Sequence, residues 1–308
     1  MRDAPPVLLL IFNRPSTTRH VIDAVRLAAP SRLYVAGDGP RPTHPDDPNR
    51  CAAARQVATA VDWPCDVQTL FQDSNVGCRT AVSEAIDWFF DHETEGIILE
   101  DDLVPDQSFF PFCAELLERY RHDQQVMAIG GHYRAAQSPP FSYTFSRYPH
   151  IWGWATWRSA WQRYDRNLTA WPALRDTGWL DTKGGRWFAH GWRQRFDAVA
   201  DGQIDSWAYA WVFSLFVHDG LAAVAGRNLI ANIGFGGDAT HTHTSIRQPD
   251  VGSLEMPLTH PTEVRPDPAL DAWIDRKVFG AGRLPVRRAV GRVPGMQRMA
   301  RWLRHRST

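Results

Sequence analysis

Three consecutive carboxylates, Glu100-Asp101-Asp102, follow the apolar run Gly96–Leu99. On an exposed strand end they repel one another unless a cation sits there. Hard oxygen ligands of this kind suit Mg²⁺ or Mn²⁺, which can bridge to a diphosphate. The same triplet can also be a solvated strand end that favours the dipole of the next helix. Taken alone, it leaves both readings open. Asn13-Arg14 and Asp38 stand directly behind two other apolar runs. No glycine-rich phosphate loop accompanies them, because the turn after the first run is FNRPST, neither GxGxxG nor GxxxxGK[ST]. A site handling phosphates here needs another source of positive charge.

Downstream, His241 and His243 alternate in a glycine-rich stretch that begins at Gly234 and includes Asp238. In an extended segment both rings point the same way. They could add a metal ligand or meet a diphosphate, although a pair of exposed histidines has the same spacing. Gly234, Gly236 and Gly237 suit a loop that closes over a ligand. Ten of the 14 tryptophans fall between Trp152 and Trp211. Trp152, Trp154 and Trp157 crowd a turn-like segment, where flat rings can stack on sugars while Arg or Asp bonds the hydroxyls. About half of the ten are expected in the core.

These residues need a frame. Short aliphatic runs at Val7–Phe12, Leu33–Ala36, Val67–Phe71 and Gly96–Leu99 read as strands buried on both faces. Between them lie helical spacings. One opens at Ser16 as N-cap with Val21, Ala24, Val25 and Ala28 on one side, and another carries Val82, Ala85, Ile86 and Phe89. The repeated βα spacing predicts a parallel α/β sheet, whose ligands bind beyond the carboxyl ends of its strands. That places Asn13-Arg14, Asp38 and Glu100–Asp102 on one rim. Further on, the pattern predicts a helix from about 108 to 120, a strand at Val126–Gly130, and helices near 156–163, 186–200 and 206–217. Leu221–Ala225 and Leu229–Ile233 read as a short pair of strands. Residues 246–268, with five prolines, read as an extended wrap or linker that continues to 275, where a basic tail of residues 276–308 begins.

The 308 residues, 44% hydrophobic and 22% charged, exclude disorder, collagen and coiled coil. No apolar stretch reaches the ~18–20 residues that span a bilayer, and the run from Val7 is too short for a signal peptide. Four cysteines with no CxxC pair point to reduced thiols and a cytoplasmic setting.

Several blocks resemble a known family. VLLLIFNRPSTTRHVIDAV, LYVAGDGP and GIILEDDLVPDQSFFPFCAELLERY are similar to nucleotide-diphospho-sugar transferases of the GT-A fold. Those resembled include the mannosyl-glycoprotein N-acetylglucosaminyltransferases and their bacterial relatives. WGWATWRSAW and NLIANIGFGGDATHT look like blocks of bacterial family-2-like glycosyltransferases, and the likeness spans roughly residues 6–245. It implies a Rossmann-like, mostly parallel sheet flanked by helices, with residues 1–130 as the nucleotide-sugar half and 131–245 as the acceptor half of one catalytic domain. It further implies an inverting hexosyl- or N-acetylhexosaminyltransferase that uses Mn²⁺ or Mg²⁺ and a nucleotide-diphosphate donor, with uridine the better guess for the base. On that resemblance Arg14, with Asn13 beside it, approaches the diphosphate and Asp38 the base or ribose. Glu100 and Asp101 place sugar and ribose, Asp102 holds the metal, and His241 lies on a loop that orders over the donor. Trp152, Trp154 and Trp157 would line the acceptor. Relatives often carry Trp-Asp where this chain has Trp207-Ala208, so the nearest carboxylate, Asp205, is the expected base.

Two other readings stay open. A sugar nucleotidyltransferase would carry a glycine-rich loop with Arg and Lys after the first strand, which is missing. A carbohydrate-binding protein on a transferase scaffold fits Ala208. The charge balance bears on partners. Residues 276–308 carry ten Lys/Arg and no Asp/Glu, while the preceding 275 hold 24 basic and 34 acidic side chains. Residues 293–306 place Met296, Met299, Trp302 and Leu303 at helical spacing among arginines. Such a basic amphipathic tail suits an anionic membrane surface, at the inner face of the plasma membrane, and a lipid-linked or cell-envelope glycan acceptor. Docking of the tail on the acidic body is the competing reading. One short basic tail makes a poor nucleic-acid footprint.

Overall fold

The computed structural model describes residues 4–135, 138–234 and 249–280. The chain opens with β1 (Val7–Ile11), α1 (Pro15–Ala28), β2 (Arg32–Gly37), α2 (Asp47–Thr59), β3 (Asp66–Phe71), α3 (Cys78–His92) and β4 (Glu95–Glu100). Every residue of β1 is buried, as are all but the first of β2, which is what continuous apolar runs predict for strands covered on both faces. α1 starts one residue before the expected Ser16 cap. Pro15 takes the first helical position, where its missing N–H costs nothing, and Arg14 is the cap residue. Val21, Ile22, Ala24 and Val25 face inward.

The second half follows with β5 (Leu103–Pro105), α4 (Phe109–Tyr120), β6 (Val126–Gly130), β7 (Tyr143–Ser146), β8 (Trp154–Trp157), α5 (Arg158–Trp161), α6 (Trp171–Leu174), α7 (Trp179–Ala200), α8 (Trp207–Val217), β9 (Leu221–Ala225), β10 (Ile230–Asn232) and α9 (Pro268–Lys277). One sheet runs in the order β3-β2-β1-β4-β8-β6-β9-β7. β3, β2, β1 and β4 are parallel, β8 is antiparallel to both β4 and β6, β9 is parallel to β6, and β7 is antiparallel to β9. Six strands therefore share one direction. The protein is α/β with a large, mostly parallel mixed sheet between helices, compatible with a Rossmann-like fold. One hydrophobic core runs through both halves of the sheet.

Three expectations need correction. Leu221–Ala225 and Leu229–Ile233 do not pair with each other. β9 enters the main sheet, while β10 pairs antiparallel with β5, in register Leu103↔Asn232, Val104↔Ala231 and Pro105↔Ile230. The segment Trp154–Trp157 is a fully buried strand, not a turn. Its two tryptophans, three positions apart, lie on opposite faces of the sheet. Seven of the ten clustered tryptophans are buried rather than about half, because α8 is enclosed on nearly all sides and needs rings to fill the space around it.

The proline-rich segment does run over the body. The Leu254 N–H reaches Ser108 Oγ at 2.9 Å, and the Ser142 N–H reaches the Thr259 carbonyl at 3.0 Å. It ends in α9, capped by Asp267, whose side chain accepts from the Ala269 and Leu270 N–H groups. α9 straddles the expected boundary at 275/276. Ser146 Oγ donates to Asp271 at 2.6 Å and Arg147 pairs with Asp275 at 2.7 Å, tying the helix down. Residues 293–306 lie outside the described residues. Among the described residues, no helix is long and apolar enough to cross a membrane. All four cysteines are free thiols.

Candidate functional site

β1 connects onward to β2 and β3 on one side of the sheet, while β4 lies on its other side. The β1/β4 boundary is thus the place where strand order reverses, and such sheets hold ligands in the crevice outside the strand ends there. Arg14 leaves the end of β1 and the three carboxylates end β4, so the topology brings them together.

The Arg14 guanidinium spans two of the acids. One terminal nitrogen pairs with Asp101 and the other donates to Asp102 at 2.8 Å. Asp101 is 2% exposed and also accepts the Phe12 N–H at 3.1 Å. Burial and the neighbouring Asp102 charge push Asp101 up to about 6, against the pull of Arg14 and the Phe12 N–H. Burial, then the charges of Asp102 and Asp101, push Glu100 up to about 8. Burial works against the Arg14 charge, but the two aspartates outweigh it and hold its pKa above the usual arginine range. Arg14 Nε is buried with no hydrogen-bond partner among the described residues.

Asp102 is fixed from behind by the β5–β10 pair. Its carbonyl receives the Ile233 N–H at 2.8 Å. Gly234 packs so tightly on the Asp102 carboxylate that a Cβ there would overlap it, which accounts for glycine at this position. Gly234 is the last residue described before the GGDATHT segment. That segment, with His241, lies outside the described residues.

The other rim residues have work within the fold. The Asn13 amide donates to Asp47 at 2.7 Å, and Arg41 Nε donates to the same carboxylate at 2.6 Å. Burial would raise Asp47, but these donors win and hold it at about 2. Asp38 accepts the N–H groups of Gly39, Val76 and Gly77, with the Asn75 amide at 2.7 Å, so both its oxygens are used in fixing the turn before α3. Asp205 is exposed, one residue before the Ser206 cap of α8, and its Oδ2 lies 3.3 Å from where a Cβ on Gly77 would sit. It therefore faces the β3–α3 turn, near Asp38.

The three tryptophans separate. Trp154 is 1% exposed and stacks on Trp207 at 5.9 Å between ring centroids, while Trp157 is 3% exposed and donates its indole N–H to the Leu117 carbonyl. Neither ring can meet an acceptor, which corrects the expected stacking platform. Only Trp152 is partly exposed, with His132 at 4.6 Å and the Arg134 guanidinium 5.1 Å from its ring centre.

Sequence reasoning missed His132 and His150, at the end of β6 and ahead of β8 on the same edge. His150 donates from Nδ1 to the His132 carbonyl at 3.1 Å, taking the neutral tautomer that burial favours. Burial lowers His150 to about 4 and drives His132 well below the usual histidine range. The Nε2 atoms of both rings are buried without a partner among the described residues. His150 adopts φ 48°, and a Cβ on Gly130 would lie 2.6 Å from its Cβ, so a glycine is needed beneath it. Single histidines inside aromatic stretches carry no spacing signal by which to find them.

Among the described residues no group of three His, Cys, Asp or Glu side chains is arranged to hold a metal. A divalent ion that bridges to a diphosphate asks less of the protein, one or two carboxylates with substrate oxygens completing the shell. Asp102, 14% exposed beside Asp101, fits that smaller demand. No protein-family model matches the sequence, and none of the curated proteins matches it.

Proposed function

We propose that the chain is a metal-dependent inverting glycosyltransferase of GT-A type, moving a hexose or N-acetylhexosamine from a nucleotide diphosphate to a hydroxyl of a glycan or lipid-linked acceptor. The observation that carries this reading is the convergence of Glu100, Asp101 and Asp102 with Arg14 at the strand-order reversal, in a chain without a glycine-rich phosphate loop. Asp102 would hold Mn²⁺ or Mg²⁺, which offsets charge on the leaving diphosphate when bound. Arg14 meets the diphosphate, and the carboxyl groups of Glu100 and Asp101 orient sugar and ribose. Asp205 takes the proton of the acceptor hydroxyl. That oxygen bonds to the anomeric carbon as the bond from that carbon to the diphosphate breaks. The basic residues 293–306 would hold the enzyme at an anionic membrane surface, on the cytoplasmic side. One observation favours a second reading, a carbohydrate-binding protein without turnover: Ala208, in the first turn of α8, leaves no carboxylate there.

The test is thermal stabilisation by UDP, GDP, CDP and dTDP, each with and without Mn²⁺, on the wild type and Asp102→Ala. A ligand at a hundred times its Kd adds about 2.7 kcal/mol, a shift of several degrees. The expected result is one nucleotide that stabilises the wild type only with metal and fails on Asp102→Ala. No shift with any nucleotide would remove the donor site. A shift without release of free nucleotide diphosphate on glycan addition would favour the second reading.

A further inference from the structure

Arg14 stands where the reading above needs a cation. Its two terminal nitrogens hold Asp101 and Asp102, its side chain is 13% exposed, and its Nε has no partner among the described residues. Arginine can donate five hydrogen bonds in a fixed fork, so this pose leaves a buried donor unmet in order to neutralise the acids. The backbone of Arg14 is pinned. It caps α1, and its carbonyl accepts the hydroxyls of Thr17 at 3.2 Å and Thr18 at 2.8 Å. Any new partner must therefore be reached by rotating the side chain alone.

We propose that Arg14 is a resident counter-ion of the acidic strand end, and that a divalent cation takes Asp102 only by displacing its guanidinium. This rests on the metal-dependent reading. A guanidinium and a divalent ion on the same two carboxylates repel each other in a poorly screened crevice. The metal alone must therefore compete with Arg14 and binds weakly. A diphosphate changes the balance, because it offers the displaced guanidinium a bidentate partner and the metal further oxygens. Metal and nucleotide then bind as a coupled pair, each raising the affinity of the other by the same factor. The ion pair suppresses idle metal loading and reserves Arg14 for the phosphates.

The experiment measures Mn²⁺ binding to the full chain from loss of the free-ion electron paramagnetic resonance signal, with and without UDP. It compares wild type, Arg14→Met, Arg14→Lys and Asp102→Asn. Without nucleotide, Arg14→Met should bind Mn²⁺ about tenfold more tightly than wild type, within the usual range of such couplings. UDP should raise Mn²⁺ affinity in the wild type and much less in Arg14→Met. Arg14→Lys, which keeps the charge on one ammonium, should lie between. Suppose Arg14→Met binds Mn²⁺ no more tightly while Asp102→Asn loses it. Displacement is then wrong, although the metal site stands. If neither wild type with UDP nor Arg14→Met binds Mn²⁺, the metal-dependent reading falls and takes this proposal with it. Should Arg14→Met fail to fold, the Arg14 Nε–H resonance of ¹⁵N-labelled wild type, assigned by its loss in Arg14→Lys, decides. It must move when Mg²⁺ and UDP are added together, and an unmoved resonance in a sample thermally stabilised by the pair overturns the proposal.

Discussion

Among the buried tryptophans several indole nitrogens have partners within the fold. Trp157 donates to Leu117, Trp161 to Asp87 at 2.7 Å and Trp171 to Asp197 at 3.0 Å, whereas Trp211 Nε1 is buried without a partner among the described residues. The rim formed by the ends of β1, β4 and β6 is different. There Arg14 Nε and the Nε2 atoms of His132 and His150 are buried without partners among the described residues, and three acids crowd one strand end. Buried polar groups usually find partners, and leaving one unmet costs about 1–3 kcal/mol. The layer richest in large rings is thus spent on packing, whereas the poorly satisfied rim is where a ligand has something to supply.

The sharpest way to break this contrast is Trp154→Ala. If the ring is core, its loss costs about 3–5 kcal/mol in urea unfolding, and whatever protein remains folded shows the same nucleotide-induced thermal shift as the wild type. A loss below about 1 kcal/mol would return Trp154 to the list of binding residues. Asp101→Ala comes next, because it leaves the Arg14 guanidinium half-paired in a buried site. Breaking such a pair costs about 3 kcal/mol, read by the same denaturation.

The histidine pair gives an effect that is spread over a pH range and carries a sign. His150 sits at about 4 in the fold, below its ordinary value near 6.5. The unfolded chain therefore binds the extra proton first. The stability carried by the neutral ring is present above pH 6.5 and is lost as pH falls toward 4. At about 1.4 kcal/mol per pKa unit the full gap sets a ceiling of about 3.5 kcal/mol. His150→Asn, which tolerates the left-handed backbone, should flatten the fall in Tm between pH 6.5 and 4.5. An unchanged slope would mean that the ring is not held neutral.

Much of this arrangement was legible in the residues. β1 to β4 announce themselves as continuous apolar runs, and their spacing alone puts Arg14 and Asp102 on a common edge. What spacing could not carry is which groups close on each other. Its place on the rim offers Arg14 to a phosphate, but only the structure shows its guanidinium on Asp101 and Asp102. Nor does spacing show that the Asp38 oxygens hold the turn at 75–77. β8 shows no alternation because both its faces are buried, and its tryptophans imitate a binding motif. β9 and β10 are each legible as apolar runs, but proximity in sequence favours a hairpin and only the third dimension brings β10 to β5.

The pairing of β5 with β10 has a consequence for length. Asp102 and Leu103 are adjacent, Leu103 is 1% exposed, and the ladder is set by Asn232 opposite Leu103. Adding or removing one residue here forces a choice. Either the ladder stays and Asp102 slides off the crevice, or Asp102 stays and Leu103 turns its side chain outward, since strand faces alternate with every residue. Replacements in residues 100–105 can be judged one side chain at a time, but insertions and deletions cannot. The segment could be moved into another scaffold only together with 228–234, and the spacing between the two pieces would have to travel with them.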